Sequence, residues 1–514
     1  MSSNNIGKKQ IAINMLANIV SYSANIIISF VLTPFLINSL GKETYSFYPI
    51  ANTIVSYMSV LMNAMNSMAS RFVTVAIVKK RSDEANKYFA STLAANLIFS
   101  AILLVPMALI VIFLDKFMDV PINSKASIKA LFALVFSSAI INISASVFGI
   151  ATFAKNRIDL RSLRELVTAS IRLALFFVLY RFLPSSIIYV GIVAVIVAVV
   201  NMVFQVVYTK ILLGEINFSL CYVSLKHTKE LLGSSSWNAI NTFGNTLLAG
   251  MSMILANIFY GAEAAGSYSI VNTVPQFICG IIVMLVGVFY PVITYKYAQD
   301  DKKGLIKELK TAQSMVGIVG CSVISVFSAL ATEFFLLWTP NENAYFLSVL
   351  SFFTIIPHFF IACMWPLTNM NVVLNKVRIP ALYTLGCGLA NVAMAFISYR
   401  IWAPGVLSLP IISSFLQVIW IGLLIPQYVV KNLQLPWNAF YSVLLKAIVC
   451  SGIIMISVLK IKKAIIINSW LKLLLFGGIC GFIALLFFSI VLIGKNDLKR
   501  ILMTVLEKII KIGK

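Results

Sequence analysis

GKETYSFYPIANTI, Gly41 to Ile54, decides how this chain is read, because the chain says it twice. About 220 residues further on it returns as GAEAAGSYSIVNTV, Gly261 to Val274, with identities at Gly41/Gly261, Glu43/Glu263, Tyr48/Tyr268, Ile50/Ile270, Asn52/Asn272 and Thr53/Thr273. The same offset runs upstream without a gap, setting Asn18 on Asn238 and Asn25 on Asn245. A gap-free match across two helices and their turn signals an internal duplication, and such duplications mark transporter halves that face each other across a central site. Glycine at 41 and 261 permits a tight reversal, and Pro49 and Pro275 supply bends just inside the second helix of each copy.

With 514 residues, 60% hydrophobic and 11% charged, and a mean hydropathy of +0.96, the chain is far more apolar than a soluble protein. It reads as an all-α polytopic membrane protein. Lys and Arg number 40 against 17 Asp and Glu, a net charge of +23. In a soluble chain that balance would suggest nucleic acid, but cytoplasmic loops of membrane proteins collect Lys and Arg, and no nucleic-acid module is present. Nucleic acid is therefore excluded as a partner. The seven cysteines are scattered, six of them in apolar segments and none in a C-x-x-C pair, so they read as small buried hydrophobes. Lys8 and Lys9 lead into a segment too long for a signal-peptide core, with no processing site, and it is expected to stay in the mature protein.

A bilayer-crossing helix needs roughly 20 mostly apolar residues, and that criterion divides the chain into about 14 spans. They fall near 11–37, 45–70, 88–114, 128–154, 163–183, 185–210, 235–258, 266–293, 311–337, 345–371, 380–400, 405–430, 437–459 and 469–493. Lys and Arg concentrate in alternate loops: Lys79, Lys80 and Arg81; Lys155, Arg157, Arg161 and Arg164; Lys296, Lys302, Lys303, Lys307 and Lys310. The positive-inside rule then sets both termini in the cytoplasm, with 460–468 and its three lysines the discordant outer loop. An even number of spans separates the two copies of the repeat, so the halves are expected to be parallel repeats about an axis along the membrane normal. The expected organisation is an N-lobe at 1–213, an amphipathic cytoplasmic connector at 214–232, a C-lobe at 233–431, two further helices at 432–494, and a basic amphipathic tail at 495–514 lying in the headgroup plane.

Two helices carry polar stripes at steps of three, four or seven: Asn14, Asn18, Ser21, Asn25 and Ser29 in the first, and Asn238, Asn241, Thr242, Asn245 and Ser252 in the seventh. Hydrocarbon penalises such groups, so each stripe faces protein or water. One stripe alone is explained by interhelical hydrogen bonds; two at matching positions point to a hydrophilic cavity. Arg172 lies near the middle of the fifth span, where an arginine costs at least ~2.5 kcal/mol, and Arg161 and Thr168 share its helical face. It is expected to face an aqueous cavity, offering a fork for bidentate phosphate binding. Arg71 closes the second span, by topology or as a cavity-mouth residue. Lys446 reads as a snorkelling residue or part of a tail groove, and His358 as a buried structural histidine or a functional one.

No carboxylate is expected at the middle of a span, with Glu165 and Glu333 at span ends, which disfavours a carboxylate-coupled antiporter. The chain has no P-loop, no metal-ligand His pair and only two histidines, His227 and His358, so ATP-driven export and His-based catalysis are disfavoured. It is not read as an enzyme, and neither cofactor nor metal is called for.

The chain resembles the Wzx-type polysaccharide flippases of the multidrug/oligosaccharidyl-lipid/polysaccharide exporter superfamily, which also holds MurJ and the MATE pumps. The resemblance rests on the Asn-dotted first helix, then Thr33-Pro34-Phe35-Leu36-Ile37-Asn38-Ser39-Leu40-Gly41, then Glu43, Tyr45 and Tyr48, then Arg71. Family members read L-G-x-x-x-Y-G at the turn, where this chain has Ser46 for the second glycine. The resemblance implies a MATE-like fold of two six-helix lobes plus two C-terminal helices, rocking by alternating access around a cationic cavity. It implies a monomer in the bacterial cytoplasmic membrane that moves an undecaprenyl-pyrophosphate-linked oligosaccharide outward, amid membrane lipids and polysaccharide polymerases. Arg172, Arg161 and Arg71 would then meet the pyrophosphate, and Asn18, Asn25, Asn238, Asn241, Thr242 and Asn245 the sugar. The alternative is a MATE-type drug or cation antiporter, which would want carboxylates where this chain has Arg172.

Overall fold

The computed structural model describes residues 3–214, 219–401 and 405–493, so the tail expected at 495–514 lies outside the described residues. The first two helices meet at a single residue. Helix α1 (Ser3–Leu40) ends and α2 (Lys42–Val78) begins on either side of Gly41, which sits at φ 77°, ψ 151°. That backbone region is essentially closed to residues with a Cβ. The second copy uses its matching glycine the same way: α8 (Leu225–Ala298) breaks at Gly261, φ 87°, ψ 174°. Asp119 secures this break, its Oδ2 accepting from the Ala262 N–H at 3.0 Å, while Asn257 Oδ1 accepts from the Asp119 N–H at 3.0 Å. Alanine at either glycine is expected to destabilise by about 1–3 kcal/mol. The cost should be larger at Gly261, where a Cβ would stand 2.9 Å from Asp119 Oδ2. Thermal unfolding of the purified variants measures this, and unchanged transitions in both would refute it.

The register of the duplication persists through the later helices. The remaining long elements are α3 (Ser82–Phe117), α4 (Lys125–Ala145) continuing into short α5 (Ile150–Ala154), α6 (Ile158–Phe182) and α7 (Ile188–Leu212). Beyond α8 come α9 (Lys302–Trp338), α10 (Ala344–Val373), α11 (Arg378–Ile401), α12 (Ser408–Ile419) joined through a π segment to α13 (Ile425–Leu433), α14 (Tyr441–Lys462) and α15 (Trp470–Leu492). Helices α3 and α9, α6 and α11, and α7 and α12 each start 220 residues apart, the offset of the two glycines. No strand occurs among the described residues.

Each expected span falls on one of these helices, and 11 of the helices are long and apolar enough to cross a bilayer. The other expected spans are polar α2, highly charged α6, and the half of α8 beyond Gly261. Residues 225–232, expected within a separate connector, form the first turns of α8.

Five helices end with the same local device. Lys80, Asn156, Asp300, Asn375 and Gln434 have positive φ, and after each the next N–H reaches back to the carbonyl five residues earlier, as Arg81 N does to Ala76 O. These are Schellman caps, and they close the loops read from charge as cytoplasmic. Lysine and arginine beside them complement the negative end of the helix dipole. Asp301 then caps α9, with Oδ1 accepting from Gly304 N–H at 2.8 Å and Oδ2 pairing with Lys296 Nζ at 2.9 Å. The lysine, then the backbone N–H, holds the Asp301 carboxyl below the usual carboxylate range. Its contribution is therefore present above pH ~4 and is lost as pH falls through the lowered value. Asp301→Ala should lower the unfolding midpoint at neutral pH, and lower it less in acid, as read from unfolding at both pH values.

The described residues form two compact units: those up to Thr246 together with Met253–Gly266, and Leu247–Ser252 together with those from Ser267 onward. In the second, α9 is buried along most of its length against α10, α14 and α15. Helix α15 buries only the stripe Leu473, Cys480, Ala484 and Phe488, leaving Leu474 and Phe482 exposed as lipid-facing residues are. Lys462, in the discordant basic stretch, is bonded to Glu333 at 3.0 Å and to the Ala329 carbonyl at 2.8 Å. Part of that positive charge is thus neutralised within the fold.

Candidate functional site

The site begins where α6 is tied to α1. Asn14 Oδ1 accepts from the Asp159 N–H at 3.0 Å and Asn14 Nδ2 donates to the Asn156 carbonyl at 3.0 Å, while Gln10 Nε2 reaches Asp159 Oδ1 at 3.0 Å. The lowest member of the first polar stripe is therefore structural: it fixes the start of α6. From there α6 presents Arg164, Glu165, Thr168 and Arg172 to a cavity of about 430 Å³. Asn18, Tyr22 and Asn25 of α1, Asn142 of α4, and Asn201 and Gln205 of α7 complete its wall.

Every side chain on that wall is polar, and the charges are uneven. Glu165 accepts from Arg161 Nε at 3.0 Å and from Ser21 Oγ at 3.3 Å. Arg164 has a buried Nε with no hydrogen-bond partner, and its nearest carboxylate oxygen, on Glu165, is 4.0 Å away. Arg172 has no ion-pair partner among the described residues. Two guanidinium groups thus face one carboxylate that is already engaged. A buried guanidinium with unused donors is costly unless an anion or water satisfies it, and the planar fork suits phosphate oxygens.

The duplication shows that the fold does not require these groups. At the offset of 220 the second copy has Ala381, Thr384, Leu385 and Val392 in place of Arg161, Arg164, Glu165 and Arg172. For Asn201 and Gln205 it has Ile421 and Ile425, both buried in the core of the second unit. The same helix packing is built there from apolar residues, so the charges on α6 answer to something other than folding.

Of the residues read from sequence as the site, the structure brings Asn18, Asn25 and Arg172 together. Arg161 stands beside them through Glu165 but is itself exposed. Arg71 is exposed on α2 and takes no part in this wall. Asn238, Asn241, Thr242 and Asn245 lie on α8, outside the cavity, where Ala239 packs on Val60 and Ala64 and Phe243 meets Tyr57 edge-on at 6.0 Å. Arg164 and Glu165 were the residues missed. The expected span began at 163 and left them at its very end, whereas α6 begins at Ile158 and sets them in its second turn. The available signal was the i,i+4 spacing of Arg161 with Glu165 and of Arg164 with Thr168. The argument from an absence of carboxylates therefore does not hold at this cavity. Elsewhere, His358 is buried with Nδ1 unpartnered, Lys446 is exposed, and among the described cysteines five are buried and all are free.

This duplicated helical architecture is that of a known class of membrane transporters. The chain superposes on an inward-facing multidrug resistance MATE family transporter of the MOP superfamily with a TM-score of 0.69, at 11% identity, covering 83% of this chain and 97% of that one. It superposes on the lipid II flippase MurJ, in an inward closed conformation, with a TM-score of 0.63, at 14% identity, covering 94% and 99%. The chain belongs to the polysaccharide biosynthesis protein family, whose model matches residues 11–295. It is 27% identical over 391 residues to the uncharacterized membrane protein EpsK of Bacillus subtilis (strain 168), covering 74% of this chain and 76% of that one.

Proposed function

We propose that the protein carries a polyprenyl-pyrophosphate-linked oligosaccharide from the cytoplasmic to the outer leaflet by alternating access, for the synthesis of a cell-surface polysaccharide. On this reading it spans the bacterial cytoplasmic membrane with both termini inside. The observation that carries it is the pair Arg164 and Arg172, guanidinium groups on the wall of a polar cavity whose single carboxylate, Glu165, is already bonded to Arg161 and Ser21, and absent from the duplicate helix. A pyrophosphate supplies the missing negative charge, and the surrounding Asn18, Asn25, Asn142 and Asn201 offer neutral donors and acceptors for sugar hydroxyls. The family and the likeness to MurJ support the same direction.

The competing reading, export of cationic drugs, would need an excess of carboxylate on this wall, and Glu165 is outnumbered and already bonded. Proteoliposomes containing the purified chain and a fluorescent lipid-pyrophosphate oligosaccharide should show protein-dependent movement of the label between leaflets. Movement of a cationic dye with none of the lipid-linked sugar would overturn the proposal in favour of drug export.

A further inference from the structure

A second cavity, of about 740 Å³, lies in the other unit between the start of α9 and the end of α15. Lys303, Lys307 and Lys310 of α9 line it, with Met315 further along the same helix and Leu492 and Ile493 from the end of α15. The lysines stand at i, i+4 and i+7, on one face of the helix, and none has an ion-pair partner among the described residues. Glu308 is the one carboxylate on the wall.

This arrangement departs from that of the duplicate helix. Asp301 already caps the positive end of α9, but the first turn that follows has Lys302 and Lys303 and no acid. The duplicate helix α3 instead has Asp83 and Glu84 in its first turn. At the shared offset Lys303 replaces Asp83 and Lys307 replaces Lys87, and in the first copy those two form an ion pair at 2.6 Å. The second copy has exchanged an internal ion pair for a like-charge pair, which is repulsive at this spacing. An external anion placed among the three lysines would relieve the repulsion. The apolar side of the cavity, where α9 turns hydrophobic from Met315 onward, admits a hydrocarbon chain next to that anion.

We propose that this cavity binds an anionic phospholipid, its phosphate on Lys303, Lys307 and Lys310 and an acyl chain along Met315, Leu492 and Ile493. The inference is independent of what the α6 cavity transports, since it requires only a chain embedded in a membrane. Basic residues grouped at the ends of membrane helices hold anionic headgroups in this way, each contributing about 1 kcal/mol.

The test is thermal unfolding of the full chain in neutral detergent, titrated with cardiolipin, phosphatidylglycerol or phosphatidylcholine, and separately with inorganic phosphate. Saturable stabilisation by the two anionic lipids alone is expected. It should weaken about 100-fold in the triple variant Lys303→Gln, Lys307→Gln, Lys310→Gln, and persist when the same three become Arg. The matched change Lys79→Gln, Lys80→Gln, Arg81→Gln should leave it intact. Lys303→Asp, which re-creates the charge pattern of α3, should fold at least as stably as the native chain and still lose the lipid effect. Equal response of the native and triple-Gln chains, or to phosphatidylcholine, overturns the proposal. Stabilisation by inorganic phosphate at the same concentrations assigns the cavity to a soluble anion instead and overturns the lipid.

Discussion

Arg172→Ala and Arg164→Ala are each expected to abolish export of the lipid-linked sugar while leaving the protein at normal abundance. The argument starts from what each guanidinium lacks. Arg172 has no ion-pair partner among the described residues, and Arg164 has a buried Nε that bonds to nothing. Removing either therefore breaks no ion pair within hydrogen-bonding range, and Val392 and Thr384 show that the duplicate helix packs without charge at the same places. What is lost is the ligand's partner. A hydrogen bond to a charged group contributes about 1.5–3 kcal/mol, so binding of a pyrophosphate should weaken by roughly 10- to 100-fold for each arginine. Arg172→Lys keeps the charge but not the fork and should retain part of the activity. Pyrophosphate affinity, export and protein level are measured together. Full transport by both alanine variants at normal abundance would remove the cavity from the mechanism.

Joining Lys42 to Glu263 is expected to stop transport altogether. Lys42 Nζ and Glu263 Oε1 are 3.0 Å apart, and a Cβ at Gly266 would fall 2.7 Å from the Lys42 carbonyl oxygen, so the two copies of the repeated turn are in close contact. Each follows its positive-φ glycine directly and is continuous with a long helix. Such a turn moves with its helix and does not flex alone. If alternating access opens the protein on this side, the turns must part, and a covalent link holds them. Lys42→Cys with Glu263→Cys, in a chain otherwise free of cysteine, should cross-link with a short bifunctional reagent and lose export, with reduction of a cleavable linker restoring it. Efficient cross-linking with undiminished export would refute rocking at these turns.

The sequence alone determined the frame of this protein. Long apolar runs permit only helices in a bilayer, because each backbone polar group must be satisfied within its own segment. The repeated GKETYSFYPIANTI fixed an offset that reappears in the helix starts at Ser82 and Lys302, and at Ile158 and Arg378. Gly41 and Gly261 were legible as turn residues because only glycine enters that backbone region cheaply. Arg172 was legible because a charge at mid-helix has no inexpensive place in hydrocarbon.

Tertiary structure decided which polar residues meet. Periodicity assigns a residue to a face of its helix but says nothing of what stands opposite. Asn14, Asn18 and Asn25 form one stripe, yet Asn14 ties α1 to the start of α6 while Asn18 and Asn25 line the cavity. The matching stripe of Asn238, Asn241, Thr242 and Asn245 is not on that wall, which depends on α4, α6 and α7; at the positions of Asn201 and Gln205 the second copy carries Ile421 and Ile425. Arg164 and Glu165 belong to the cavity because the Asn14 network starts α6 at Ile158, ahead of its apolar run. Hydropathy locates the part of a helix that lipid requires to be apolar. Where the helix starts is set by hydrogen bonds between residues more than 140 positions apart, which no local pattern contains.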